Sequence, residues 1–159
     1  MKKHVLSAVL ALVLLAGFTE VSAQKSSGSS YTNGLGLGID FGDGSTLVGV
    51  SGKHFFTENN VGAAEVLFGD HVVAIQAFYQ YHKEIEGAAG LRWFAGIGPG
   101  VLLGNDNSAF MIRPIGGLDY KINAAPLSFS FDWRPLLAFA DGDSDFTAAR
   151  FGLGFRFTF

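Results

Sequence analysis

Large apolar side chains recur at every second residue over most of this chain. In the final stretch, GLGFRFTF, leucine and three phenylalanines alternate with glycine, arginine and threonine. A period of two is that of a β-strand, whose successive side chains point to opposite faces. Eight segments follow this pattern, at residues 33–42, 46–56, 61–69, 71–83, 88–103, 109–122, 126–140 and 147–159. Glycine, asparagine and aspartate dominate the short breaks between them, as hairpin turns require. The pattern predicts an all-β fold, an eight-stranded antiparallel up-and-down β-barrel.

The two faces of each predicted strand differ in kind. In segment 33–42, for example, Leu35, Leu37 and Ile39 share one face, while Gly38 and Asp40 share the other. A soluble ligand carrier would turn the apolar face inward. A transmembrane barrel would turn it toward lipid and leave the polar face inside.

Three observations favour the transmembrane barrel. Glycine recurs on the charged face, where a narrow interior needs small residues beside arginine. The aromatic face has more bulk than an eight-stranded interior could accept. Aromatic residues also lie near both strand ends, as expected at the two surfaces of a bilayer. One set is Phe56, Tyr81, Tyr120 and Phe159, and the other is Phe41, Phe68, Phe110 and Phe139.

The beginning of the chain has the pattern of a secretory signal peptide. Two lysines precede an apolar run, and the small-residue site Val21-Ser22-Ala23 follows it. We therefore expect a signal peptide at 1–23, a short flexible segment at 24–32 and a barrel domain at 33–159. The segment after the signal contains no cysteine and no apolar run long enough for a transmembrane helix. Acidic residues outnumber basic residues in this segment, so its charge does not indicate binding to nucleic acid.

The end of the chain resembles the assembly signal of Gram-negative outer-membrane β-barrel proteins. Phe159 and Phe157 match its aromatic positions and Gly154 matches its glycine, whereas Gly152 stands where a polar residue is commoner. The FDWRP stretch at 131–135 is also similar to small barrels of this porin-like family. The whole segment after the signal therefore resembles a small eight-stranded outer-membrane barrel of the OmpA/OmpX-like type.

This resemblance implies integral insertion in the outer membrane with both termini in the periplasm. It implies contact with outer-membrane lipid and lipopolysaccharide. During biogenesis it implies contact with periplasmic chaperones and the barrel assembly machinery.

Charged residues on the interior face are the candidate functional site. They form the predicted lumen charge network Lys53, Glu65, Arg92, Arg113, Asp119, Asp132, Arg134, Arg150 and Arg156. A buried ion without a partner is costly, so these charges should pair. Register estimated from the turns predicts the pairs Lys53–Glu65, Arg92–Asp119, Arg113–Asp132 and Asp132–Arg156. Pro99, Pro114 and Pro135 lie within predicted strands and indicate bulges.

Other chemical sites find little support in the sequence. The run from Asp141 to Asp145 begins like a calcium loop, but Phe146 replaces the glycine required at the sixth position. The loops after the first, third, fifth and seventh segments, which face outward if both termini are periplasmic, contain six aspartates that we interpret as turn residues: Asp43, Asp70, Asp106, Asp141, Asp143 and Asp145. Among the histidines, only His71 has an acid and a serine within plausible reach, Asp70 and Ser108. We therefore predict no catalytic residue, no metal site and no cofactor.

The sequence favours a non-enzymatic outer-membrane protein with a packed, salt-bridged lumen and a structural or interaction role. A narrow small-solute channel is the first alternative, because basic residues outnumber acidic ones among the interior candidates. A lipid-modifying barrel enzyme is the second alternative.

Overall fold

The computed structural model describes residues 31–105, 107–140 and 142–159. The expected signal peptide at 1–23, residues 24–30, Asp106 and Asp141 lie outside the described residues. The described residues form ten β-strands: β1 (Asn33–Gly42), β2 (Ser45–Phe55), β3 (Asn60–Phe68), β4 (Val72–Glu84), β5 (Leu91–Gly104), β6 (Ser108–Ile122), β7 (Leu127–Trp133), β8 (Leu136–Ala140), β9 (Asp143–Thr147) and β10 (Phe151–Thr158). No helix in this part of the chain is long and apolar enough to cross a membrane.

The strands close into one antiparallel barrel. Consecutive strands pair from β1 to β7, and β10 pairs with both β7 and β1, which closes the circle. Strand β8 continues β7 along β6, and it pairs with β9 on its other side. The ten strands therefore make a closed eight-stranded barrel, which confirms the predicted all-β, antiparallel architecture.

The first six strands lie close to their predicted positions, but the last two are interrupted. The predicted strand at 126–140 is divided between β7 and β8 at Arg134 and Pro135, because Pro135 has no backbone N–H to donate. The loop predicted at 141–146 is wrong over most of its length. Residues from Asp143 onward form β9, which pairs with β8 from Ala140↔Asp143 to Leu136↔Thr147.

Two prolines face each other where the pairing of β6 with the seventh strand of the barrel, which β7 and β8 form together, is interrupted. Pairing stops at Gly116↔Trp133 and resumes at Ile112↔Leu137 in the same register, which places Pro114 opposite Pro135. The Arg134 amide points toward β10, so the backbone nitrogen of the next residue, Pro135, points toward β6. Pro135 has no N–H to donate there, and Pro114 opposite it has none either.

The predicted bulges at the prolines are wrong. Pairing is also interrupted at Pro99 between Gln76↔Gly100 and Tyr79↔Ile97, again with no change of register. A bulge would add a residue to one strand and shift the register. These prolines remove hydrogen bonds and leave the inward and outward alternation intact.

Large apolar side chains cover the outer surface of the barrel. Leu37, Ile97 and Phe131 are at least half exposed, and aromatic residues are exposed near both ends. The interior is not uniformly polar, because three buried clusters include apolar side chains. These are Leu47, Leu67, Ala74 and Met111; Ala63, Phe78, Phe94 and Ile115; and Tyr31, Phe55 and Val61.

Tyr31 lies inside one end of the barrel. The Thr32 and Asn33 amides donate to the Phe159 carbonyl, so the chain enters beside β10. The Tyr31 ring packs edge-on against Phe55, with ring centroids 4.9 Å apart, and is buried. The structure therefore places Tyr31 inside the barrel mouth, although the sequence assigns it to the flexible segment at 24–32.

Candidate functional site: the interior charge network

All nine charged residues of the predicted network lie inside the barrel. Each is buried, with no more than 6% of its surface exposed. Strand alternation explains this placement, since every second residue of a closed sheet points inward. They are Lys53, Glu65, Arg92, Arg113, Asp119, Asp132, Arg134, Arg150 and Arg156.

Asp40 on β1 binds two arginines near the end of the barrel formed by the β1–β2 turn. Arg113 donates to Oδ2 of Asp40, and Arg150 donates to Oδ1 through both Nε and Nη2. Arg150 also donates to the Gly42 carbonyl at 2.7 Å and to the Ser45 hydroxyl at 2.6 Å. One buried carboxylate therefore holds two strands, β1 and β6, and the segment before β10.

Arg134 joins two carboxylates at the point where β7 ends. Its Nη1 donates to Glu65 Oε2 at 2.6 Å, and its Nη2 donates to Asp132 Oδ2 at 2.8 Å. The guanidinium lies over Gly152, where a Cβ atom would come within 2.2 Å of it. A side chain at position 152 would therefore collide with Arg134, which accounts for the glycine where the C-terminal pattern discussed above has a polar residue.

Arg156 is held mainly by hydroxyl groups. Its Nη2 donates to Ser51 Oγ at 2.7 Å, and its Nη1 donates to Ser130 Oγ at 2.9 Å. Glu65 lies 3.4 Å from Nη2. A Cβ atom on Gly154 would come within 2.3 Å of this guanidinium, so Gly154 has the same role for Arg156 that Gly152 has for Arg134.

Asp119 is the centre of a group near the end of the barrel where Tyr31 lies. Lys53 Nζ donates to Asp119 Oδ2 at 2.7 Å, and the Tyr31 hydroxyl donates to the same oxygen at 2.8 Å. His82 Nδ1 lies 3.9 Å from it. Burial, together with the Asp119 carboxylate, raises the pKa of the Tyr31 hydroxyl well above its usual range.

Arg92 lies at the rim of the same end. Its Nη2 is 2.7 Å from Glu84 Oε1, and its Nη1 donates to the Glu58 carbonyl at 2.8 Å. The Glu84 side chain is 64% exposed, so this pair is in contact with solvent. The guanidinium also lies 5.4 Å from the centroid of the Phe55 ring.

The predicted ion pairs are wrong in all four cases. Lys53 binds Asp119 rather than Glu65, because strand pairing places Ser51, not Lys53, opposite Glu65. Arg92 does lie opposite Asp119 in the ladder, but its ion pair is with Glu84.

Arg113 and Asp132 also take other partners than those predicted. Arg113 pairs with Asp40, and Asp132 pairs with Arg134. Arg156 lies opposite Ser128, four residues from Asp132 along β7, so Asp132 does not bind it. Long arginine side chains cross the narrow interior, and partners are therefore not confined to adjacent strands.

Several network residues were absent from the sequence prediction. Asp40 lies on the inward face of β1, and its parity alone could have identified it. Gln76 on β4 bridges two groups, since it donates to Glu65 at 2.7 Å and accepts from Arg113 at 2.9 Å. Tyr31 precedes the first strand, so no alternation signal could have placed it.

The other candidate residues remain separate from this network. Asp70, His71 and Ser108 are exposed, and within the described residues no side-chain hydrogen bond joins any two of them. No group of three or more His, Cys, Asp or Glu residues suited to a metal ion occurs within 31–105, 107–140 and 142–159. Asp141, the first residue of the calcium-like run, lies outside the described residues.

The network can neutralise most of its own charge. Among the residues that the structure describes, six buried basic side chains face four buried carboxylates, Asp40, Glu65, Asp119 and Asp132. Each carboxylate has at least one cation within 2.7 Å. Chemically, the arrangement is a set of interlocked ion pairs across the barrel.

No protein family, curated protein or solved structure matches this chain.

Proposed function

We propose that this chain is an integral outer-membrane β-barrel protein of the OmpA/OmpX-like kind, with a sealed interior and a structural or interaction role. The observation that carries the proposal is the inverted polarity of the barrel. Arginines and carboxylates are buried inside, whereas phenylalanine, leucine and isoleucine are exposed outside. A soluble protein rarely exposes so large a continuous apolar surface.

The proposed environment accounts for both faces of the wall. Outward leucine, isoleucine and phenylalanine would contact lipid hydrocarbon, and exposed tyrosine and tryptophan near the strand ends would lie at the bilayer surfaces. Lipid and lipopolysaccharide are then the permanent partners. Periplasmic chaperones and the barrel assembly machinery are the proposed partners during biogenesis.

Cell fractionation tests the proposed location. After expression in a Gram-negative host, the protein should sediment with the outer membrane and resist extraction by carbonate and urea. Recovery as a soluble periplasmic protein would contradict the proposal.

The C-terminal residues offer a matched test of assembly. Phe157 and Phe159 are about half exposed on the outer face, while Gly154 faces the interior. We propose that the two aromatics are read by the assembly machinery. Phe159→Ala should therefore lower the outer-membrane level, whereas Phe129→Ala, at an aromatic that is 41% exposed on the neighbouring strand β7, should lower it far less. Equal levels would argue against the signal.

A narrow anion-preferring channel is the second candidate, and the excess of two buried basic residues favours it. Planar-bilayer recording separates the two functions, because a sealed interior should give no single-channel current. An enzyme acting on lipid would instead change lipid masses in expressing cells, in a manner abolished by His71→Ala. We propose that the protein gives no single-channel current and does not change the lipid masses.

A further inference from the structure

Three buried polar atoms around Asp119 have no hydrogen-bond partner in the described part of the chain. They are Oδ1 of Asp119, Nδ1 of His82 and Oγ of Ser128. All three residues are at most 2% exposed. Buried polar groups almost always find a partner, since leaving one without a hydrogen bond is costly. Three such atoms in one region therefore point to a ligand.

The three atoms belong to one group of side chains. Asp119 uses its other oxygen, Oδ2, for Lys53 and Tyr31. His82 Nδ1 is 3.9 Å from that carboxylate, which is too long for a direct hydrogen bond. Ser130 lies opposite Asp119 in the ladder, so Ser128, two residues away on the same inward face, is its diagonal neighbour.

The hydrogen-bonding capacity of the three atoms defines which ligand would fit between them. His82 Nε2 lies 2.9 Å from Gln80 Oε1, an acceptor, so the ring proton is on Nε2 and Nδ1 offers a lone pair. Asp119 Oδ1 also only accepts, whereas the Ser128 hydroxyl can donate. The complementary ligand donates two hydrogen bonds and accepts one.

We propose that Asp119, His82 and Ser128 bind one buried water molecule. The water accepts from Ser128 and donates to Asp119 Oδ1 and His82 Nδ1, which is the usual number of bonds for a buried water. A cation does not fit, because the Lys53 ammonium already lies 2.7 Å from the same carboxylate. An anion does not fit, because Asp119 Oδ1 would repel it. The water adds to the seal beside Tyr31, whether or not the barrel lies in a membrane.

Water-selective NMR on the folded full chain in detergent micelles tests the proposal directly. We expect cross-peaks from the water resonance to the β-protons of Ser128 and to the His82 ring. Ser130 is the matched control, because its buried hydroxyl accepts from Arg156 at 2.9 Å and should show no such cross-peak. Absence of the signals at Ser128 and His82, or equal signals at Ser130, would overturn the proposal.

Two substitutions at one position provide an independent test. Ser128→Ala leaves room for the water on Asp119 and His82, so the cross-peak to His82 should persist. Ser128→Val fills that room, so it should remove the cross-peak and lower the urea midpoint below that of the alanine variant. Identical midpoints and spectra for the two variants would overturn the proposal. Should Ser128→Val fail to fold, the wild-type and alanine spectra alone decide.

Discussion

Lys53 and Asp119 lie on strands β2 and β6, which are not neighbours around the barrel, yet Nζ and Oδ2 meet at 2.7 Å across the interior. Both side chains are at most 2% exposed. The pair therefore joins opposite sides of the wall in a region shielded from solvent. Ion pairs of this kind are costly to break one side at a time, because bulk solvent is not there to solvate the remaining charge in place of its partner.

A double-mutant cycle on this pair measures that shielding. Lys53→Met or Asp119→Asn alone should lower the free energy of unfolding by on the order of 3–5 kcal/mol. The double variant should lose less than the sum of the two, because no orphaned charge remains. Urea unfolding in lipid vesicles is the measurement.

The Arg92–Glu84 pair is the internal control for this cycle. Its two side chains also meet at 2.7 Å, but Glu84 is 64% exposed. Its coupling should be about 0–1 kcal/mol. Equal coupling in the two pairs would mean that bulk solvent reaches Lys53 and Asp119, and a measurable single-channel current would then favour the channel.

Substitution of interior glycines tests how tightly the network is packed. In Gly152→Ala, the new methyl group would lie 2.2 Å from the Arg134 guanidinium, which is held by Asp132 and Glu65. We expect a loss of about 1–3 kcal/mol in unfolding free energy, the usual effect of overpacking. Gly116→Ala is the control, because its methyl group would meet nothing closer than 3.7 Å. Similar stability of the two variants would contradict a tightly packed interior.

Charge placed on the outer face tests the proposed depth in the bilayer. Leu37 lies in the middle of β1 and is 53% exposed, whereas Phe56 directly follows β2 and is 62% exposed. Leu37→Arg should lower stability in lipid by about 2–4 kcal/mol, and Phe56→Arg by about 0–1 kcal/mol. Refolding titrations in vesicles give both values. An equal effect at the two positions would argue against a membrane-spanning wall.

The Tyr31 hydroxyl predicts a pH dependence at alkaline pH. Its pKa is raised by burial, while an unfolded tyrosine ionises near pH 10. The folded chain keeps this proton when the unfolded chain releases it. The stability contributed by Tyr31 is therefore complete below about pH 10 and decreases as the pH rises above it.

Urea midpoints of the wild type and Tyr31→Phe at increasing pH check this dependence. The wild-type midpoint should fall more steeply above about pH 10 than that of Tyr31→Phe. Parallel curves for the wild type and Tyr31→Phe would contradict the assigned role of Tyr31.

Alternation was sufficient to predict the strands and the side of the wall on which each charge lies. A period of two depends only on local geometry, so it identified Lys53, Glu65 and the arginines as interior residues. It also indicated the first six strands to within a few residues. The interruption of the last two strands escaped prediction, because it depends on Pro135 facing Pro114, a contact between distant segments.

The pairing of the charges could not be predicted by the same reasoning. Register estimated from turns considers only adjacent strands, whereas Arg134 on the seventh strand reaches Glu65 on β3. Such contacts depend on the diameter of the closed barrel and on which interior positions are glycine. Gly152 and Gly154 leave the space that lets two arginines lie flat against β10.

The opposed prolines divide the wall between β6 and the seventh strand into two ladders. The lower ladder, between β6 and β7, runs from Ile122↔Leu127 to Gly116↔Trp133. The upper ladder, between β6 and β8, runs from Ile112↔Leu137 to Phe110↔Phe139. Between the two ladders, the Arg113 side chain donates to the Arg134 carbonyl at 2.6 Å. Amide hydrogen exchange need not be cooperative across such an interruption. The short upper ladder can exchange as a unit of its own, while the seven-pair lower ladder stays protected until the whole barrel opens.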